Sequence, residues 1–270
     1  MLSPSPTLLA LDFDGVLCDG RREYFQSAWR AYRQIWPAVE RHPPESLAAP
    51  FHRLRPVVET GWEMPLLLRA LILAYPEDHL LQNWTTIAPQ LLTAEHLTQS
   101  QLQSALDSER DAWIQADLAG WLHLHQFYPG TIARVAAAIA AGVTVVIITT
   151  KESRFVTQLL QEAGVGQPLP QIFGREQQRP KPAILRELQQ QDPLASIWFV
   201  EDRLQTLQNV QQQPDLANVE LFLADWGYNT AAERELARQA LPTPSSQSRR
   251  LHLLTLDQFV QPFAAWQSWG

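Results

Sequence analysis

Two aspartates one residue apart, Asp12 and Asp14, close the apolar run Leu8-Leu9-Ala10-Leu11, and Gly15 follows at once. On an extended backbone the i and i+2 side chains point the same way, so both carboxylates can face one site. Gly15 lets the chain turn sharply off the strand end. Two carboxylates at the end of a buried strand are costly unless something neutralises them, and a divalent cation with oxygen ligands does so. The plainer alternative is an Asx-type turn that merely ends the strand. Similar polar signals close later apolar runs: Thr149-Thr150-Lys151 after 143–148 and Glu201-Asp202 after 196–200. The chain has only two lysines, Lys151 and Lys181, so the position of each carries information.

Asp12, Asp14, Thr149, Lys181, Glu201 and Asp202 make a set that fits phosphoryl transfer. Asp12 can attack phosphorus and form an aspartyl-phosphate. Asp14 can protonate the leaving oxygen and then deprotonate water. Glu201 and Asp202 can complete an oxygen-rich Mg2+ site with Asp12, offsetting the repulsion between the nucleophile and an anionic substrate. Thr149 can offer its hydroxyl and backbone N–H to phosphoryl oxygens, and Lys181 can pin the phosphoryl group to the nucleophile.

The elements that must hold these residues are legible from patterning. Buried-strand runs fall at 8–11, 143–148, 196–200 and 219–224, with a short one near 172–173 and an edge strand at 251–256. Helices are expected at 131–141, 152–163, 182–190, 204–212 and 257–266. Strands alternating with helices imply a parallel sheet, whose active crevice lies outside the carboxyl ends of the strands. Between these parts, 21–128 reads as helical with no convincing strand. Helices are expected at 21–36, 45–55, 64–75, 76–92 and 98–117, broken by Pro37, Pro43-Pro44, Gly61-Trp62 and Pro76. Thr98 or Ser100 caps the last of these. The expected organisation is therefore an α/β core of 1–20 and 128–270, split by a helical domain of 21–127. A polar linker is expected at 241–250.

Composition narrows the function classes. The chain has 270 residues and a net charge of −7, which disfavours a large basic surface for nucleic acid. No apolar stretch approaches the ~20 residues that span a bilayer. The amino terminus has no basic region ahead of its apolar run, so no signal peptide is expected. A single cysteine, Cys18, fits a reducing, cytoplasmic setting. Tyr24 stands where a cysteine-phosphatase loop needs Arg, so Cys18 reads as packing.

With these residues in place the chain resembles the haloacid dehalogenase (HAD) superfamily, in its phosphoglycolate-phosphatase-like subgroup with a helical C1 cap. The first motif is Asp12-Phe13-Asp14-Gly15-Val16, and the second is 145–151, preceded by Tyr128-Pro129-Gly130. The third is Lys181-Pro182 and the fourth 198–202, with Trp226-Gly227 beyond. The resemblance implies a Rossmann-like parallel sheet with an inserted all-helical cap. It implies catalytic roles for Asp12, Asp14, Thr149 and Lys181, and a Mg2+ site formed by Asp12, Asp14, Glu201 and Asp202. The substrate would be a small phosphorylated metabolite. Arg203 and Thr206 depart from the usual Ser and Gly after Glu-Asp.

Among branches of the family, Asp14 argues against a dehalogenase, and a cap without lysine argues against a phosphonatase. Gly20 and Tyr24 depart from the phosphomutase pattern. A Mg2+-dependent phosphatase remains, with a binding or regulatory protein of weak turnover as the alternative. The cap is expected to select the substrate, through Gly61 and Glu63 beside Thr150 of the core. Arg53, Arg55 and Arg69 either meet a second anionic group or cover the cap surface.

Overall fold

Leu8–Leu11 forms strand β1, and all four of its side chains are buried. The computed structural model describes residues 5–36, 40, 42–166, 168–239 and 251–267. After β1 come β2 (Cys18–Asp19), α1 (Arg21–Ile35), α2 (Glu45–Leu54), α3 (Glu63–Ile72), α4 (Glu77–Ala94), α5 (Gln99–Ala116) and α6 (Leu118–Leu122). Strands and helices then alternate: β3 (Gln126–Phe127), α7 (Thr131–Ala140), β4 (Thr144–Ile148), α8 (Ser153–Glu162), β5 (Gln171–Phe173) and α9 (Lys181–Gln191). The remainder is β6 (Ile197–Glu201), α10 (Leu204–Gln211), β7 (Glu220–Ala224), α11 (Ala231–Gln239), β8 (Leu251–Leu254) and α12 (Leu256–Phe259). No helix among the described residues is long and apolar enough to cross a membrane.

The chain divides into two compact units, one of residues 1–19 with 127–270 and one of 20–126. In the first, six parallel strands run in the order β5-β4-β1-β6-β7-β8. Leu11 lies between Ile147 of β4 and Val200 of β6. That register sends Asp12, Thr149 and Glu201 off the same edge of the sheet. Alternate side chains fill the two faces, as strand geometry requires. Ala10, Val146, Phe199 and Leu221 join one core cluster with α9 and α10. On the other face Trp198 and Phe222 meet Trp266, with Phe263 against Trp198. Full burial of each such side chain contributes about 1.5–3 kcal/mol, enough to order the strand ends without help from the polar groups beyond them.

The unit of 20–126 is built on α1, which packs against α3 and α5. Glu23 is fully buried there and accepts from Ser27 Oγ, Arg110 Nε at 2.8 Å and Trp121 Nε1 at 3.0 Å. A buried carboxylate is tolerated because every partner is present.

Three expectations need correction. The segment 21–128 holds a two-residue strand, β3, which forms a small sheet with β2; two residues carry no periodicity to read. The closing helix of 257–266 is broken into α12 and a 3-10 turn at Phe263–Gln267, because Pro262 lacks the N–H a continuous helix needs. α11 was not anticipated at all. Pro37 and the linker at 241–250 lie outside the described residues.

Candidate functional site

Asp12 follows β1 directly, and its backbone N–H donates to Val200 O at 2.9 Å, continuing the sheet pattern. The residue is 7% exposed. Lys181, the first residue of α9, reaches back so that Nζ lies 2.9 Å from Asp12 Oδ1 and 2.6 Å from Glu201 Oε2. Pro180 and Pro182 flank this lysine; proline in a first helical turn is preorganised and gives up no needed hydrogen bond. Burial pushes the Asp12 carboxyl up to about 7, against the pull of Lys181. Burial also raises Glu201, again opposed by Lys181. The same two carboxylates outweigh desolvation at Lys181 and raise its pKa. One ammonium therefore bridges two acids and does not satisfy both.

Asp202 is held by the turn after β7. Its Oδ2 accepts from Tyr228 N at 2.7 Å, and its carbonyl accepts from Asn229 Nδ2 at 2.9 Å. Two glycines leave room for it. A Cβ on Gly15 would fall 2.0 Å from Asp202 Oδ2, and one on Gly227 would fall 2.3 Å from Asp202 Cβ. Gly15 also has φ +86°, a backbone that favours glycine. Gly227→Ala is therefore expected to displace Asp202 and weaken divalent-cation affinity by about tenfold or more while the sheet still folds. Calorimetric titration with Mg2+ beside a thermal melt would show it; unchanged affinity would mean that Asp202 takes no part.

Asp14 points elsewhere. Its Oδ1 pairs with Lys151 Nζ at 3.4 Å. The carboxylates that converge are Asp12, Glu201 and Asp202, with ligand oxygens within 4.8 Å of one another. The expectation that Asp14 is a cation ligand is not met by its side chain, which lies outside that group. Thr149 is buried, but its backbone N–H donates to Phe173 O at 3.0 Å, so it is not available to a phosphoryl oxygen. Its hydroxyl accepts from Lys151 N at 3.1 Å, leaving the hydroxyl proton to be donated. Thr150 is exposed on the same turn. Arg203 donates its N–H to Glu201 Oε1 at 3.1 Å and its guanidinium to Tyr228 O at 3.0 Å, clipping the two loops together.

The donor set fits a divalent cation. Four carboxylates (Asp12, Asp14, Glu201, Asp202) face the ammoniums of Lys151 and Lys181. All donors are oxygens, which suits a hard cation. Both Glu201 oxygens already accept one hydrogen bond each, and each keeps a second lone pair.

A family model for haloacid dehalogenase-like hydrolases matches residues 6–208. The chain belongs to that family. No curated protein matches it. Among solved structures, a candidate HAD-like hydrolase from Bacteroides fragilis aligns at 16% identity over 94% of this chain and 99% of its own, TM-score 0.58. A predicted phosphoglycolate phosphatase from Haemophilus somnus aligns at 16% identity over 84% and 88%, TM-score 0.57. A predicted phosphatase from Clostridium acetobutylicum aligns at 13% identity over 95% and 97%, TM-score 0.57. At these identities the likeness shows the HAD fold: a six-stranded parallel sheet with a helical insertion.

Within the helical unit of this HAD-like chain, the residues expected to read substrate are engaged in structure. Glu63 is 8% exposed, and its Oε2 accepts from Glu59 N and Thr60 N, both at 2.7 Å. Its Oε1 accepts from Trp84 Nε1 at 3.0 Å. The carboxylate closes the start of α3. Gly61 packs against Leu106 and Gln103, and its neighbour's N–H, at Trp62, is taken by Gln103 Oε1. The turn is thus pinned to α5. Arg53 pairs with Glu77, Arg69 with Glu95, and Arg55 donates to Val58 O. Glu63→Ala is expected to destabilise the protein by about 2–3 kcal/mol in denaturant unfolding, with KM unchanged. A raised KM with unchanged stability would restore the substrate role.

Sequence reasoning missed Tyr228, Asn229 and the Lys151–Asp14 pair. The first two follow Asp225-Trp226-Gly227 at the end of β7, a polar signal at a strand end like those of β1, β4 and β6.

Proposed function

We propose that this HAD-like chain is a Mg2+-dependent phosphatase that hydrolyses a small phosphate monoester, a sugar or organic-acid phosphate, through an aspartyl-phosphate on Asp12. The observation that carries the reading is Asp12 itself: a buried carboxylate, one oxygen fixed by Lys181, inside a three-carboxylate cluster. Solved neighbours assigned as phosphatases agree with it.

In this reading one Asp12 oxygen attacks phosphorus. The P–O bond to the leaving group breaks, and that oxygen takes the electron pair and a proton from Asp14. Lys181 keeps Asp12 oriented and neutralises part of the charge on the phosphoryl group. Thr149 donates its hydroxyl proton to a phosphoryl oxygen. Asp14, now a carboxylate, takes a proton from water as that water attacks phosphorus, and inorganic phosphate leaves with Asp12 restored. Held by Asp12, Glu201 and Asp202, Mg2+ would supply charge neutralisation between nucleophile and substrate. The net charge of −7 speaks against nucleic acid as a partner, and the single buried cysteine fits a cytoplasmic setting.

Steady-state hydrolysis of p-nitrophenyl phosphate and of an alkyl phosphate panel, with Mg2+ and with chelator, tests the proposal. Turnover is expected with Mg2+ alone and to be lost in Asp12→Asn. Turnover that persists in chelator or in that variant would refute it.

A further inference from the structure

We infer that Lys151 is a positioning residue for Asp14, holding that carboxylate outside the cation cluster and toward the oxygen that must be protonated. The inference rests on the reading of Asp14 as proton donor and extends it to a residue with no assigned role.

Lys151 is built into the site. Its backbone N–H is fixed by Thr149 Oγ1 at 3.1 Å, and its carbonyl accepts from Arg175 N at 3.0 Å. The turn after β4 is thereby anchored from both sides, and the lysine side chain is only 9% exposed. Asp14 Oδ1 is buried and has no hydrogen bond, so the Lys151 ammonium at 3.4 Å is what holds its direction. That contact is longer than the 2.9 and 2.6 Å contacts of Lys181. A charge contact of this length orients a carboxylate without engaging it in a hydrogen bond, so Oδ1 stays open to another partner.

The alternative position for Asp14 is set by electrostatics. Asp12 and Asp202 gather a cation close by, and a carboxylate without a counter-ion is drawn to it as one more ligand. Asp14 in that position can no longer reach the leaving oxygen. Lys151 prevents this by giving Asp14 a positive partner on the other side, from β4 rather than β6.

Leaving-group dependence separates this role from a merely structural one. p-Nitrophenolate departs without a proton, whereas an alkoxide needs one. The experiment compares the first-step rate, from single-turnover kinetics with Mg2+, for p-nitrophenyl phosphate and for an alkyl phosphate. Lys151→Met is expected to lower the alkyl phosphate rate by about 10²-fold and the aryl phosphate rate by only a few-fold, the range assigned to a lost general acid. Lys151→Arg, which keeps the charge, is expected to restore most of the alkyl rate and serves where the Met variant folds poorly. In an Asp14→Asn background Lys151→Met should add little. Equal losses on both substrates, or a loss confined to KM, would overturn the inference and leave the phosphatase reading standing. Turnover that survives Asp12→Asn would overturn both.

Discussion

Asp12→Asn is expected to lower turnover by at least about 10⁴-fold, the scale of removing a covalent nucleophile. In chelator at pH 8 the same variant is expected to be more stable than wild type. Burial holds the Asp12 carboxyl at about 7, against an ordinary 3.8. A group with a raised folded pKa favours the fold below its unfolded pKa and loses that contribution as pH rises through the folded value. Ionised Asp12 thus costs stability at pH 8 that the protonated acid does not. Asparagine has the same shape and stays neutral. The gap between variant and wild type should open between pH 4 and pH 7 and close again when Mg2+ is added to wild type. Thermal melts across pH, with and without the cation, measure both effects. A variant less stable than wild type at pH 8 in chelator would mean that Lys181 already compensates Asp12 fully.

Lys181→Met should cost more stability than any other single change in the site. It leaves Asp12 and Glu201 buried without the ammonium that bridges them. Breaking a buried pair by removing one partner typically costs about 3–5 kcal/mol. Here the loss is expected at pH 8 and should shrink toward pH 5, because Asp12 and Glu201, both raised by burial, take up protons instead. Lys181 is itself raised by the two carboxylates, so it stays protonated throughout that window. Turnover should fall by about 10³-fold through lost orientation of the nucleophile and lost charge stabilisation. Arginine should restore little, since its planar fork does not replace a point charge set between two acids. Denaturant unfolding at pH 5 and pH 8 is the readout. A pH-independent loss would show that the lysine serves packing alone.

What could be read without coordinates follows from where local signals are strong. The buried runs of β1, β4, β6 and β7 end in polar residues, and in a parallel sheet those ends gather at one edge. Asp12, Thr149, Glu201 and Asp202 were therefore legible as a group. The bridge from Lys181 depends on how α9 enters the sheet edge, and the Lys151–Asp14 pair on the turn after β4; neither distance is written in spacing. The contacts of Glu63 were legible in another way. Thr60-Gly61-Trp62-Glu63 has the threonine-to-glutamate spacing of a capping box, and Glu63 does reach back to Thr60 N. Thr230 and Glu233 form a complete box ahead of α11, the helix that went unread. Thr98, one of the two residues read as a cap, forms the same motif with Gln101.

The most direct test is a rapid-quench experiment with Mg2+ and p-nitrophenyl phosphate, whose leaving group needs no proton, followed by peptide mass mapping. Transient gain of one phosphoryl group on the peptide carrying Asp12 is expected, absent in Asp12→Asn and longer-lived in Asp14→Asn. Hydrolysis with no phosphoenzyme at any time point, or phosphorylation of another residue, would contradict it.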